Sequence, residues 1–304
     1  MTGNDQTNLK SKYWGILSTL TAIFLLAGNG YFAKGLMTGV LTLTMLRAFI
    51  AAFAILLLTR LRKENIALRN RRDYAVSIVL GLLLGMHWLS YFYAMKISTV
   101  TLGMTALYTY PVITLFLERM FFKQALGTAD ILTTIVLFLG VALMGAANHD
   151  TQSNNVLGLA FGLFSAFCFA CRNILQHRLF SSYPAHHSIY YQTITIGFVL
   201  LAVSIFCDAS SNVVMSLSHE WYLWLLLGIF FTALPHSLMT YGITRVGARS
   251  VSIIGCLQPV MGSILAFILL NETASLQVTL GAATVLACSY IEISKLTTRS
   301  EVKS

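Results

Sequence analysis

Residues Tyr93 to Val112 read YAMKISTVTLGMTALYTYPV, and Tyr241 to Val260 read YGITRVGARSVSIIGCLQPV. In each stretch a Tyr precedes a Pro by 18 positions, a short basic linker follows the Tyr, and Pro-Val sits inside an apolar run. Thirteen residues beyond each Pro comes Gln124 or Glu272. A shift of 148 residues maps one stretch onto the other. This predicts an internal duplication, with 1–147 as one copy and 148–304 as the other. The polar run Asn148 to Asn155, NHDTQSNN, marks the boundary.

Composition names the solvent. The chain has 304 residues, 57% hydrophobic and 10% charged. A soluble domain is about 25% charged. A mean hydropathy of +0.74 leaves too little polar surface to cover a water-soluble globule. The net charge of +9 does not point to nucleic acid, because the basic residues sit in short linkers between apolar runs. Cys168, Cys171, Cys207, Cys256 and Cys288 all lie within apolar runs. Cys168 and Cys171 share a CxxC spacing but fall mid-helix without paired ligands, so they read as small apolar residues. The first apolar run follows a polar start and carries no A-x-A site, so it is expected to remain as an anchor.

A membrane-spanning helix needs about 20 apolar residues. The sequence predicts ten: roughly 13–33, 40–59, 74–96, 100–122, 127–147, 156–177, 187–207, 220–243, 248–270 and 276–294. With a cytoplasmic N-terminus, sixteen of the 20 Lys and Arg fall at inner ends. Only Lys34 and Lys96 fall at outer ends, and Arg47 and Arg172 lie within spans. Both termini are therefore expected on the cytoplasmic side. Five helices is an odd number, so the second copy enters the membrane upside down. Inverted repeats of this kind build transporters with a site near the midplane.

The motifs then carry a resemblance. They are GNGYFAK (Gly28 to Lys34), LRAF (Leu46 to Phe49), HWLSYFYAMKIS (His87 to Ser98), TALYTYPV (Thr105 to Val112) and QPVMGSILAFILLNET (Gln258 to Thr273). Together they resemble the drug/metabolite transporter superfamily, EamA type, nearest in style to YddG-like amino-acid exporters. The resemblance covers nearly the whole chain. It implies an all-α membrane protein of ten helices, in two inverted five-helix repeats around a central cavity. It also implies movement of small metabolites across the inner membrane by alternating access, with four-helix bundles rocking and helices five and ten as outer supports. Amino-acid export is the leading expectation. Relatives of this type also carry purines, riboflavin, S-adenosylmethionine or drugs. Gln124 departs from the pattern, where the first copy would often have Glu.

Intramembrane polar side chains are costly and become candidates by default. His87, Trp88 and Tyr91 lie on one side of a predicted helix, with His87 and Tyr91 four apart. Tyr108 and Tyr110 approach from the next. These five, with Arg172 and Asn29, are the expected substrate contacts: hydroxyls and imidazole orient a zwitterion and rings cover its apolar part. The competing reading is a packed core with a satisfied His. Arg47 is expected to close a structural network, although a guanidinium also suits a substrate carboxylate. Lys34 is expected to snorkel to the outer surface. Glu118 is expected to pair with Arg119 or another inner basic residue. Pro111, Pro235 and Pro259 fall inside predicted helices and are expected to kink them, as hinges or as static curvature.

Two other classes compete. A membrane-embedded lipid-modifying enzyme needs an acid-rich metal motif or a His–acid pair, and no P-loop or HExxH occurs. A channel needs a repeated polar pore ring. The expected protein is a monomeric carrier, not an enzyme, without cofactor, metal or nucleic-acid partner. Its partners are the metabolite, membrane lipid and possible coupling protons.

Overall fold

The computed structural model describes residues 3–29, 39–98, 100–122, 127–146, 155–206, 213–270 and 276–301. Lys34, Gly30, Gln124, Cys207, Glu272 and most of the 148–155 boundary lie outside the described residues. Every regular element described is helical. In chain order these are α1 (Gly3–Ala27), α2 (Val40–Leu61), α3 (Arg71–Ile97), α4 (Val100–Leu107), α5 (Tyr110–Phe122), α6 (Thr128–Ala146) and α7 (Asn155–Leu179). Then come α8 (Ala185–Phe206), α9 (Val213–Gly228), a π turn (Ile229–Ala233), α10 (Leu234–Val246), α11 (Ala248–Gly255), α12 (Leu257–Leu270) and α13 (Leu276–Glu301).

Six described helical stretches are long and apolar enough to cross a bilayer. They are α2, α3, Val156–Leu179 of α7, α8, the stretch Trp221–Val246 running through the π turn, and Leu276–Thr297 of α13. Large apolar side chains such as Phe53, Phe116, Leu132 and Phe206 are exposed on the outside of the bundle. In water that surface would be a liability; against lipid it is the expected exterior. This is a multi-pass membrane protein.

The 148-residue shift recurs in the elements. α4 starts at Val100 and α11 at Ala248; α6 starts at Thr128 and α13 at Leu276. The α4–α5 break falls at Tyr108–Thr109 and the α11–α12 break at Cys256. Packing follows the same plan. α1 lies along α10 just as its counterpart α7 lies along α3, while α2 pairs with α8 and α6 with α13. The halves are thus exchanged by an approximate two-fold relation. Lipid gives little drive to bring helices together, so close packing must do it. At Gly281 an added Cβ would lie 2.5 Å from the Gly140 carbonyl oxygen, so α6 and α13 touch backbone to backbone.

Of the three intramembrane prolines, Pro111 and Pro259 open new helical segments after a break, whereas Pro235 follows a π turn inside the continuous stretch Trp221–Val246. Pro111 is the second residue of α5, Pro235 the second of α10 and Pro259 the third of α12. A missing N–H costs nothing in a first turn, whereas mid-helix it removes a hydrogen bond. Before Pro111 the chain tightens, with Thr109 N–H donating to the Ala106 carbonyl at 3.3 Å. Before Pro235 it widens into the π turn, where the Leu234 N–H reaches back to the Ile229 carbonyl.

Candidate functional site

These breaks set the walls of one buried chamber. Its lining comes from α1's end (Leu26, Asn29), α2 (Arg47), α3 (His87, Trp88, Tyr91, Phe92) and the α4–α5 break (Leu107, Tyr108, Tyr110). The second half adds Phe169, His236, Met239 and Gln258. The volume is about 40 Å³. At roughly 10–15 Å³ per water, that is space for a few waters and not for a metabolite. The chamber in this conformation is contracted.

Aromatic rings order the chamber. Arg47 is fully buried, and its guanidinium carbon sits 3.8 Å from the Trp88 ring centre and 4.9 Å from that of Phe92. The His236 ring also packs on Trp88, tilted, at 4.9 Å between centroids. The His87 ring stacks on Phe169 at 4.4 Å, and Nδ1 is 2.7 Å from Ser165 Oγ, which donates back to the His87 carbonyl at 3.0 Å. That pair ties α3 to α7. Gln258 Nε2 donates to the Leu26 carbonyl at 3.0 Å, tying α12 to the end of α1.

Several polar atoms of these lining residues have no partner among the described residues. They are Asn29 Oδ1, Arg47 Nε and Nη1, Trp88 Nε1, and the hydroxyls of Tyr91 and Tyr108. Buried polar atoms are nearly always paired, so a cluster of orphans at one cavity is unusual. None of the described lining residues is an acid. Arg47 is thus a buried cation held by ring faces, without a counter-ion among the described residues. An unpaired buried charge is expensive, and a bound carboxylate would relieve it.

Six of the expected contacts, Asn29, His87, Trp88, Tyr91, Tyr108 and Tyr110, meet around this chamber. Arg172 does not. Its Nε donates to Gln192 Oε1 at 2.8 Å, Nη1 to Asn173 Oδ1 at 3.1 Å and Nη2 to Thr240 Oγ1 at 2.8 Å. These bonds knit α7, α8 and α10. The two arginines therefore exchange their expected parts: Arg172 sits in a network and Arg47 in the chamber wall. The residues missed by sequence reading had a signal. His236, Met239 and Gln258 stand 148 positions after Trp88, Tyr91 and Tyr110. Phe169 had no comparable signal.

Glu118 lies in α5, buried, within the field of Arg249 and Arg178 and not beside the chamber. Close by in sequence-predicted sidedness, Asp130 pairs with Arg249 at 3.3 Å and Lys295 at 3.2 Å. Glu292 accepts from Ser250 Oγ at 2.6 Å. These bonds join the starts of α6 and α11 to the C-terminal part of α13. The α2–α3 loop closes onto the second half. Tyr183 OH donates to Asp73 and accepts from the Arg69 N–H at 2.9 Å, and Tyr191 OH donates to the Ile66 carbonyl at 3.2 Å. Desolvation and then the Asp73 bond raise the Tyr183 phenol above its ordinary value. A raised value keeps the proton, and with it the donor, throughout the range below about pH 10.

A helical membrane bundle with a small, aromatic-walled polar chamber between two related halves has the build of a transporter. The profile of the EamA-like transporter family matches residues 13–146 and again residues 156–291. The chain belongs to that family, within the drug/metabolite transporter superfamily. It is 22% identical over 220 residues to a Bacillus subtilis (strain 168) protein called "Uncharacterized transporter YxxF", covering 72% of this chain and 69% of that one. It is 24% identical over 262 residues to "Uncharacterized transporter YdfC" of the same strain, covering 84% and 83%. A solved structure titled only "Crystal structure of protein" superposes with a TM-score of 0.76 at 17% identity, covering 91% of this chain and 97% of the other. That likeness concerns the fold.

Proposed function

We propose that this protein is a secondary transporter of small carboxylate-bearing metabolites, amino acids first among them, exporting them across the inner membrane by alternating access. The observation that carries the reading is Arg47, a buried guanidinium with Nε and Nη1 unpartnered at the chamber wall. A substrate carboxylate would accept from one of those donors and neutralise the charge, leaving the other for a second acceptor on the substrate. The faces of Trp88, Tyr91 and Phe92 would cover an apolar body, and the Tyr108 hydroxyl and Asn29 carbonyl oxygen would meet an ammonium group. With no acid in the described lining, His87 and His236 are the chamber side chains able to carry a coupled proton.

The reading takes ten spans in two inverted repeats, with α4–α5, α9–α10 and α11–α12 each counted as one span. Both termini then face the cytoplasm. The Asp130–Arg249 ion pair, between α6 and α11, would serve as an inner closure that must open for substrate to enter. Broken helices give each half a place to bend without disturbing the closely packed α6–α13 pair. The carrier acts as a monomer in this reading.

The test is flux in vesicles reconstituted with purified protein. Saturable, competed movement of an unmodified amino acid is the expected result. A thermal-shift panel of amino acids, purines and vitamins should show stabilisation by carboxylates, since a ligand that binds the native state raises its melting temperature. Stabilisation by uncharged purines or by riboflavin alone would overturn the carboxylate assignment.

A further inference from the structure

Away from the chamber, one group of side chains unites metal-ligand types from both halves. Glu64 follows the end of α2, and His186 and His187 occupy the first turn of α8. Glu64 Oε2 lies 2.7 Å from His186 Nε2 and 3.4 Å from His187 Nε2. One ligand atom from each residue lies within 4.8 Å of the others. The two imidazole planes cross at 83°. The Nε2 of His187 has no hydrogen-bond partner among the described residues. Glu64 is exposed, so water reaches the open side.

The backbone holds this arrangement in place without help from an ion. α2 ends in a Schellman turn: the Lys63 N–H donates to the Arg60 carbonyl and the Glu64 N–H to the Thr59 carbonyl, both at 3.0 Å, with Lys63 at φ 55°. That fixes Glu64. Farther along the same loop, the bonds from Tyr183 and Tyr191 described above pin Ile66 and Arg69 to the second half. Consecutive residues diverge by about 100° around a helix, yet both His rings reach one oxygen because the loop lies across the helix end.

We propose that Glu64, His186 and His187 bind a zinc-class divalent ion, with water as the fourth ligand, and that the ion fastens the α2–α3 loop to α8. Two imidazoles and one carboxylate suit zinc, whereas calcium and magnesium need six or more oxygens or several waters. With bonds of 2.0–2.1 Å, tetrahedral zinc places its ligand atoms about 3.3 Å apart. His187 already meets that spacing from Glu64; His186 must withdraw by about half an ångström. The hydrogen bond between His186 and Glu64 gives way to two metal bonds, and a proton on that His Nε2 leaves to solvent. Arg60, Arg62, Lys63 and Arg69 crowd the same loop. Their charge opposes a cation, which makes the site reversible and not a permanent structural centre.

The experiment uses the full chain in detergent, with any polyhistidine tag removed. Zn²⁺ uptake is measured by equilibrium dialysis, and Co²⁺ serves as a spectroscopic probe of four-coordinate geometry. One Zn²⁺ per chain is expected, with a four-coordinate Co²⁺ spectrum and a higher melting temperature in zinc. Glu64→Gln and His187→Gln should each lower the affinity roughly tenfold or more and remove the zinc-dependent thermal shift. The metal-free melting temperature of Glu64→Gln should match the parent, since Glu64 is exposed and the loop is pinned by tyrosines; for the buried His187 the readout is the loss of the zinc-dependent shift. Binding indifferent to both substitutions, or lost only when the cysteines are changed to Ser, would overturn the proposal. So would zinc uptake at this site without any thermal shift.

Discussion

The guanidinium carbon of Arg47 stands 3.8 Å over the centre of the Trp88 ring. A cation on a desolvated ring face gains about 2 kcal/mol. That offsets only part of the cost of a buried, uncompensated charge. Replacing such a charge by an apolar side chain of similar volume is often neutral or stabilising by about 1–4 kcal/mol. Arg47→Met should therefore melt at the same or a higher temperature than the parent, yet lose the shift caused by the stabilising amino acid. Thermal unfolding with and without that ligand checks both halves. A sharp loss of intrinsic stability would return Arg47 to a structural role.

Trp88→Phe keeps a ring beneath Arg47, and Trp88→Ala removes it. Flux in reconstituted vesicles should fall in that order, by about 30-fold for the alanine variant if the full 2 kcal/mol is felt in binding. Tyr91→Ala should also reduce flux. Membrane expression should persist in all three. Parental flux in either alanine variant would remove the aromatic wall from the binding site.

Arg172 offers the contrast. All three of its bonds go to protein oxygens on three helices. Arg172→Leu would strand Gln192, Asn173 and Thr240 in a buried setting. Breaking one side of such a network costs about 3–5 kcal/mol. A large drop in melting temperature is expected, while flux per folded molecule stays near the parent in vesicles where the protein survives. Stable but inactive protein would place Arg172 in the transport step itself.

The α6–α13 contact tests the supporting pair. Any Cβ at Gly281 collides with the Gly140 carbonyl and Met144. Gly281→Val should cost about 1–3 kcal/mol by overpacking. Ligand-induced stabilisation should remain, because neither residue lines the chamber. Both quantities come from one thermal-shift series.

Sidedness is open to chemistry. In a protein freed of native cysteines, Arg62→Cys should react with an impermeant thiol reagent from the same side as a cysteine at either terminus. Lys34→Cys should react from the other. Termini labelled from opposite faces would rule out inverted halves, and the carrier mechanism with them.

The sequence by itself determined the solvent, the helical class and the repeat. Each depends on one-dimensional quantities: the length of apolar runs, the spacing of Tyr and Pro, and the placement of Lys and Arg. The 148-residue shift found in letters reappears in where helices start and break. It even contained the second half of the chamber, since His236, Met239 and Gln258 follow from Trp88, Tyr91 and Tyr110. Only the tertiary structure decided which arginine faces the chamber and which is satisfied. Arg47 and Arg172 look alike along the chain, each a lone cation in an apolar run. Whether a guanidinium finds acceptors depends on which helices cross it, and α8 and α10 bring Gln192 and Thr240 to Arg172 but nothing equivalent to Arg47. The prolines teach the same lesson: a missing N–H marks where a helix is weak, but packing around it decides between a kink, a π turn and a fresh start. Hydrogen-bond satisfaction is a property of neighbours in space, so no local pattern could assign it.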